Sequence, residues 1–117
     1  MDAKAANDVK SPIKLQWFHI LLALADGELH GYGIQRAVLE RTGGSMRLWP
    51  AMLYRSLATL TEAGLIESVE TPAGDIPDER RQYYCLTPAG RRRLRAETEL
   101  MAGWVDAARS ANTQPQT

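Results

Sequence analysis

Leucines recur along residues 50–62 at the spacing of a single helix face. Leu53, Leu57 and Leu60 occupy positions i, i+4 and i+7, which share one side of an α-helix. Pro50 suits the first helical position, and Gly64 suits the left-handed residue that closes a helix. The opposite face is small, polar or basic and carries Ala51, Met52, Arg55, Ser56 and Thr59. Such a face fits a DNA major groove, and it equally fits ordinary solvent.

Two helices are predicted before this one. The first begins with Ser11 as the N-cap and Pro12 at the first helical position, and it ends at Asp26-Gly27. Its apolar residues form two adjacent stripes, namely Leu15, Phe18, Leu22 and Ala25, and Trp17, Leu21 and Leu24. An apolar arc this wide indicates burial on two sides, in the core and against another chain.

The second helix is predicted from Tyr32 to Arg41, with Ile34 and Val38 facing inward. A turn over residues 28–31 precedes this helix, and Thr42-Gly43-Gly44 ends it. Two helices joined by a tight connection that contains glycine, followed by a third helix, have the order of a helix-turn-helix.

The hydrophobic pattern changes to strict alternation after Ile66. It predicts strands over residues 66–70 and 81–86, joined by a loop rich in proline and glycine. Thr87-Pro88 then begins a last helix that reaches about Ser110. The apolar residues of this helix lie near a heptad spacing and require a partner; they are Leu94, Met101, Trp104, Val105 and Ala108.

These elements predict an α+β fold, mostly α, that is a winged helix-turn-helix with an added C-terminal dimerisation helix. The predicted winged-helix domain covers residues 11–86, and the dimerisation helix covers residues 87–111. Residues 1–10 and 112–117 are polar and lack an apolar period, so we expect disordered tails there.

Charge is balanced overall but segregated along the chain. The formal net charge is zero, which by itself argues against a nucleic-acid partner, but phosphate binding depends on local potential. A stretch whose charged residues are all acidic precedes a stretch whose charged residues are all basic. The acids are Glu67, Glu70, Asp75, Asp78 and Glu79, and the arginines are Arg80, Arg81, Arg91, Arg92, Arg93 and Arg95. Cations in the first turn of a helix oppose its macrodipole. Residues 91–95 therefore either contact phosphate or acids of a partner chain, or form a solvated face.

Other features of the sequence exclude several classes of protein. No apolar run reaches the roughly 18 residues that a membrane helix needs. The first residues lack a secretory signal, so we expect a cytoplasmic protein without a membrane partner. Cys85 is the single cysteine, so no internal disulfide forms, and we expect it to be a small buried hydrophobe. His19 and His30 lack metal-ligand spacing, and there is no nucleophile–base set, so we expect no enzyme, cofactor or metal.

Three stretches together resemble the PadR family of bacterial transcription regulators. They are Leu29-His30-Gly31-Tyr32-Gly33-Ile34, Leu53-Tyr54-Arg55-Ser56-Leu57 through Glu62-Ala63-Gly64-Leu65-Ile66-Glu67, and Arg81-Gln82-Tyr83-Tyr84-Cys85-Leu86-Thr87-Pro88-Ala89-Gly90. The resemblance covers about residues 14–95, and the short last helix is similar to that of the small subgroup, whose members are homodimers.

The resemblance implies a homodimeric repressor that binds double-stranded DNA at a pseudo-palindromic operator. The third helix would enter the major groove, the wing would touch phosphates or the minor groove, and the terminal helices would build the dimer. It also implies release from DNA by a small aromatic or phenolic effector, for which Trp17, Met101 and Trp104 are the candidate residues. The sequence departs from the family pattern at Trp49, where a capping residue is common, and at the acidic tip of the wing.

Arg55 is the best candidate for a reader of base edges, because arginine pairs bidentately with guanine; the alternative is a solvated helix arginine. Tyr54 either reaches a phosphate through its hydroxyl or packs at the helix flank. The remaining candidate DNA contacts are Ala51, Met52, Ser56, Thr59, Arg80 and Arg81. A winged-helix module that binds only protein is the other hypothesis, and the zero net charge and acidic wing favour it.

Overall fold

The computed structural model describes residues 9–69 and 82–113, which form a mostly helical fold with one small antiparallel sheet. Its elements are α1 (Leu15–Ala23), β1 (Leu29–His30), α2 (Gly31–Arg41), α3 (Pro50–Glu62), β2 (Ile66–Val69), β3 (Tyr83–Leu86) and α4 (Pro88–Thr113). A 3-10 turn, Leu24–Asp26, extends α1. This is the predicted winged helix-turn-helix with an additional C-terminal helix. None of the described helices combines the length and the hydropathy needed to cross a bilayer.

One apolar core joins the helices to the sheet. The largest fully buried aliphatic side chains come from α1, α2, α3 and the segments next to them, and α4 adds the buried Leu94; the fully buried ones are Ile20, Leu21, Leu24, Ile34, Val38, Leu48, Leu53, Leu57, Leu60, Leu65 and Ile66. The predicted leucine face of α3 and the predicted inward residues of α2 are therefore confirmed. Burial of such side chains is the main favourable term in folding. It fixes α3 in the core along one side and leaves its other side outward.

Among the described residues the sheet has three strands in the order β1-β3-β2, because Leu29-His30 forms a strand where a turn was predicted. β3 pairs antiparallel with β1, with Leu29 opposite Tyr84, and with β2, with Ile66 opposite Leu86. A strand of two residues is too short to show a period of two, so the sequence pattern could not reveal β1. The predicted wing loop lies outside the described residues.

Thr87 caps α4, as predicted, and it also joins α4 to the end of α3, which was not predicted. The Thr87 hydroxyl accepts a hydrogen bond from the Gly90 N–H at 3.0 Å and donates to the Gly64 carbonyl at 2.6 Å. Gly64 has a φ of 78°, the left-handed conformation predicted for the residue that ends α3. One hydroxyl therefore caps α4 and fixes the end of α3 to it.

The start of α1 was predicted wrongly. α1 begins at Leu15, with Lys14 at the N-cap position and no side-chain cap, whereas the Ser11 hydroxyl donates to a Glu97 carboxylate oxygen at 2.6 Å. Val9, which was assigned to the disordered tail, is buried in the core. Because the partner of Ser11 lies on α4, the local Ser-Pro signal for a helix start is overridden by a long-range contact.

Glu97 and Arg93 hold this N-terminal segment against α4. Glu97 is only 2% exposed; it also accepts the Ile13 N–H at 3.1 Å and pairs with Arg93 Nε at 3.0 Å. Arg93 in turn donates to the Val9 carbonyl at 2.5 Å. Burial alone would raise the pKa of Glu97, but the hydrogen bonds from Ser11, Arg93 and Ile13, with the charge of Arg93, outweigh it and lower the pKa. Arg93 is therefore a structural residue.

Candidate nucleic-acid interface

The outer face of α3 presents Ala51, Tyr54 and Arg55 to solvent. Arg55 lies on the side opposite the buried leucines, and within the described ranges its guanidinium has no carboxylate partner. Since the first turn and centre of α3 carry these three residues, they form one short continuous surface along the helix. An arginine held outward in this way has its planar set of donors available to a ligand.

Ser56 was expected on this outer face, and that placement is wrong. The residue is 4% exposed, because it follows Leu53 by three positions and precedes Leu60 by four, which places it on the core side. Its polar side chain, rather than its position, suggested exposure. Met52 is half-buried against the core, and the half-buried Thr59 donates its hydroxyl to the Arg55 carbonyl at 3.1 Å.

Tyr54 lies where α3 meets the start of α2. A Cβ atom built on Gly31 would lie 3.1 Å from the Tyr54 hydroxyl oxygen, yet 51% of the tyrosine remains exposed. Tyr54 also borders a shallow groove of about 400 Å³ between α3 and the sheet, together with Ala58, Ser68 and Tyr84. Burial, together with the nearby Tyr54, raises the pKa of the Tyr84 hydroxyl. The groove therefore brings Tyr54, Ser68 and Tyr84 together beside the outer face of α3.

The first turn of α3 lacks a side-chain cap, as the sequence indicated. Trp49 occupies the N-cap position in an extended conformation, and Pro50 follows at the first helical position. The Trp49 indole is 60% exposed, and the Arg47 guanidinium carbon lies 5.2 Å from its ring centroid. No helix N–H of this turn is occupied by the Trp49 side chain.

The arginines of the predicted wing and of α4 have different positions. Arg80 and Arg81 lie outside the described residues. Arg91 donates to the Ala25 carbonyl at 3.5 Å, whereas Arg92 and Arg95 are exposed. The arginines of residues 91–95, whose role the sequence did not decide, therefore fall into two groups. Arg93 forms the contact with Glu97, and only the exposed arginines remain free for a ligand.

The candidate effector residues lie on two helices, with Trp17 on α1 and Met101 and Trp104 on α4. Trp17 is half-buried, with the Lys14 ammonium 4.9 Å from its ring centroid, while Trp104 is 51% exposed. Met101 is half-buried. Within the part of the chain that the structure describes, no ring contact joins Trp17 to Trp104.

Residues 102–113, at the end of α4, are all exposed. The large apolar residues Leu100, Trp104 and Val105 of α4 are exposed, as is Leu15 on α1. Leu15 was predicted in an apolar stripe, and Leu100 was not singled out. Leu94, by contrast, is buried in the chain's own core. The predicted apolar stripe of the last helix therefore has two parts. Leu94 packs in the core, and Trp104 and Val105 are exposed without a partner among the described residues.

His30 and Cys85 make local contacts within the fold. His30 accepts the Gly33 N–H on Nδ1 at 3.0 Å and so caps α2. Cys85 is half-buried rather than fully buried, with its Sγ atom 3.8 Å from the Glu67 carboxylate. Across residues 9–69 and 82–113, no cluster of histidine, cysteine and carboxylate side chains could hold a metal ion.

Comparison with known proteins identifies the family of this chain. Residues 20–96 match the model of the transcriptional regulator PadR-like family. The chain belongs to the PadR-like family. Members of this family are transcriptional regulators and not enzymes, so the prediction that the protein is not an enzyme is confirmed. The stretches that resembled PadR proteins between residues 29 and 90 all fall inside the matched region.

Solved PadR-like structures share the fold. RosR of H. salinarum is 25% identical, with a TM-score of 0.65 over 80% of this chain and 77% of that chain. PadR of Bacillus subtilis, solved in complex with operator DNA, is also 25% identical, with a TM-score of 0.59 over 89% of this chain and 50% of that chain.

An uncharacterized 37.1 kDa protein in transposon TN4556 of Streptomyces fradiae is similar in sequence. It is 42% identical over 83 residues, which are 71% of this chain and 22% of that protein. The PadR-like chain therefore spans about a fifth of the length of this curated relative.

Proposed function

We propose that this PadR-like protein is a homodimeric repressor that binds a pseudo-palindromic operator through α3 and releases it when an aromatic effector binds. The observation that carries the proposal is the placement of Arg55, which is exposed on α3 opposite a buried leucine face and has no carboxylate partner among the described residues. The winged helix-turn-helix around α3 is the scaffold that such a role requires.

DNA binding is supported by the shape and chemistry of α3. Leu53, Leu57 and Leu60 fix the helix from behind, so that Ala51, Tyr54 and Arg55 can approach a groove without disturbing the core. An arginine side chain reads guanine through bidentate hydrogen bonds to O6 and N7. Bacillus subtilis PadR, which shares this fold, binds operator DNA. In this account the Tyr54 hydroxyl contacts phosphate, and Arg80 and Arg81 of the wing do the same.

Dimerisation is supported by the exposed apolar side chains near the C-terminal end of α4. The exposed side chains of Leu100, Trp104 and Val105 lie on one side of the helix, and a second copy would remove them from water. A two-fold axis through such an interface would place two copies of α3 about 34 Å apart on successive turns of DNA. The operator would then have two related half-sites.

The proposed effector site lies between the two chains and contains Trp17, Met101 and Trp104. Trp104 is half-exposed in one chain, and its ring can stack on a planar aromatic molecule. An effector held there would change the angle between the two subunits and so the spacing of the two α3 helices.

A mobility-shift assay with the promoter beside the protein's own gene tests DNA binding. We expect a shift that weakens as salt increases, and Arg55→Ala should weaken it strongly. Lys14→Ala, which removes one positive charge from α1, is the matched control and should bind like the wild type. A protein that shifts no DNA would favour the alternative, a winged-helix module for protein contacts.

Tryptophan fluorescence tests the effector. Because the chain has three tryptophans, Trp49→Phe should be present in all samples so that Trp17 and Trp104 give the signal. Planar aromatic compounds should quench the fluorescence and release the promoter DNA. Quenching that is unchanged after a further Trp104→Ala substitution would remove Trp104 from the site.

A further inference from the structure

Trp49 is a large aromatic side chain that the fold does not use. It is 60% exposed, it does not cap α3, and its only described ring contact is with the Arg47 guanidinium, 5.2 Å from the ring centroid. Arg47 is also exposed and, among the residues that the structure describes, has no carboxylate partner. Both side chains therefore lie free on the surface at the entrance to α3, stacked on each other.

The backbone that carries this pair is held firmly. Leu48, between the two residues, is completely buried, and its carbonyl accepts a hydrogen bond from Gln35 Nε2 at 2.5 Å. The Thr42 hydroxyl accepts the Met46 N–H at 3.1 Å. Leu48 is buried between Arg47 and Trp49, which are both exposed directly before the first turn of α3.

We propose that the Arg47–Trp49 pair, which we name the entry pair, binds the DNA backbone beside the groove that α3 enters. The Arg47 guanidinium would donate to a phosphate, and the Trp49 ring would hold the guanidinium in place and cover the adjacent sugar. This deepens the proposed function and rests on it, because it adds a contact to the same DNA-binding surface.

The chemistry of the entry pair favours phosphate over the other ligands of such a surface. A guanidinium stacked on an indole keeps the N–H donors at its edge free, and those donors match phosphate oxygens in a planar, bidentate arrangement. Stacking also restricts the arginine side chain before it binds, which reduces the entropy lost in the complex. Contacts to phosphate position a protein on DNA without reading its sequence. The entry pair should therefore add affinity and not specificity.

Fluorescence anisotropy with two labelled 30-bp duplexes tests the proposal. One duplex contains the promoter beside the protein's own gene, and the other is a scrambled duplex of the same composition; both are titrated at several salt concentrations. Arg47→Ala should weaken binding to both duplexes by the same several-fold factor and should reduce the slope of log K against log salt by about 1. Trp49→Ala should weaken binding to both duplexes to a similar degree. The affinities of Trp49→Phe should lie between those of Trp49→Ala and those of the wild type.

Lys14→Ala is the matched control, since Lys14 and Trp17 form the same kind of pair on α1, with 4.9 Å between the ammonium and the ring centroid. It should leave both affinities and the salt slope unchanged. Thermal unfolding of every variant should be cooperative, because the substituted side chains are exposed.

Three results would overturn the inference in distinguishable ways. If wild-type protein binds the promoter and Arg47→Ala shows the same slope of log K against log salt, only the proposal for the entry pair is overturned. If Trp49→Ala loses DNA binding and sedimentation velocity shows that its dimer has dissociated, the proposal for the entry pair is also overturned. The pair would then contact a second copy of the chain and not DNA. Wild-type protein that binds neither duplex would instead overturn the proposed function, and the entry pair with it.

Discussion

The phenol ring of Tyr54 in α3 lies against Gly31, the first residue of α2. A Cβ atom on Gly31 would stand 3.1 Å from the hydroxyl oxygen of Tyr54 and 3.2 Å from its Cε1 atom, which is closer than ordinary van der Waals contact. Gly31 thus leaves room for a tyrosine that reaches the surface next to Arg55. The N-terminus of α2 sets the position of a proposed DNA contact on α3.

Gly31→Ala should displace the Tyr54 ring without unfolding the protein. Because the ring is half-exposed, it can move, so we expect less than about 1 kcal/mol loss in the free energy of unfolding. Affinity for promoter DNA should nevertheless fall several-fold in anisotropy titrations. Gly33→Ala is the control, since its Cβ would lie 3.4 Å from the Leu29 side chain, an ordinary contact. Wild-type affinity in Gly31→Ala would show that the position of Tyr54 does not matter for binding.

Gly90→Ala should be severely destabilising. A Cβ atom at this buried position would lie 1.8 Å from the carbonyl oxygen of Leu65, a backbone atom that cannot move aside without separating α4 from the end of α3. We expect a loss of about 3 kcal/mol, the upper range for overpacking a core. Urea unfolding at a fixed protein concentration measures it.

Gly103→Ala in the same helix is the matched control for Gly90→Ala. No atom lies within 4 Å of its added Cβ, so this substitution should stabilise the protein by up to about 1 kcal/mol. Equal urea midpoints for the two variants would contradict the close approach of α4 to Leu65.

The sequence could predict those parts of the fold whose signals are local. The leucine face of α3, the left-handed Gly64 and the capping Thr87 each follow from residues within one or two turns, and each is confirmed. Family membership was also visible, because motifs of this kind depend on residue order along the chain. The exposed placement of Arg55 followed from the position of the leucines.

Long-range contacts account for the wrong predictions. Ser11 has the local features of a helix cap but binds Glu97, 86 residues away. β1 exists only because Leu29 and His30 find a partner in β3. Val9 packs in the core, and its carbonyl accepts a hydrogen bond from Arg93, 84 residues away. Helical angle could have placed Ser56 correctly, since it lies between two buried leucines on the same side, but its polarity was given more weight.

Glu97 should make stability depend on pH in the acid range. Its pKa is lowered in the folded state, so its contribution is fully present above the unfolded pKa of about 4.3 and is lost as the pH falls through the folded pKa. Glu97→Gln breaks a buried ion pair with Arg93 and should cost about 3 kcal/mol at pH 7. The difference in the free energy of unfolding between Glu97→Gln and wild type should become smaller as the pH falls below the pKa of Glu97 in the unfolded chain.

The exposed Glu99 provides the control for the acid-range prediction. Glu99→Gln should unfold like the wild type at every pH, because its side chain lies in solvent. Chemical unfolding measured at several pH values separates the two variants. A deficit in Glu97→Gln that stays constant down to the lowest pH would contradict an ionised Glu97 in the folded protein.

Val105→Asp should dissociate the proposed dimer. The substitution would bury a carboxylate between two copies of α4, and an unpaired buried charge costs several kcal/mol. Ser110→Asp adds the same charge at an exposed position on the side of α4 opposite Trp104 and Val105, and it should remain dimeric. Sedimentation velocity distinguishes the two states, and a dimer that survives Val105→Asp would exclude this face of α4 as the interface.

Dimethyl sulfate footprinting of the promoter tests most directly whether Arg55 on α3 reads DNA. Arginine bonded to guanine covers the N7 atom that dimethyl sulfate methylates. Wild-type protein should protect a guanine in each of two half-sites about one helical turn apart, and Arg55→Ala should restore methylation at those guanines while other protected positions persist. A protection pattern that is identical in wild type and Arg55→Ala would contradict the account.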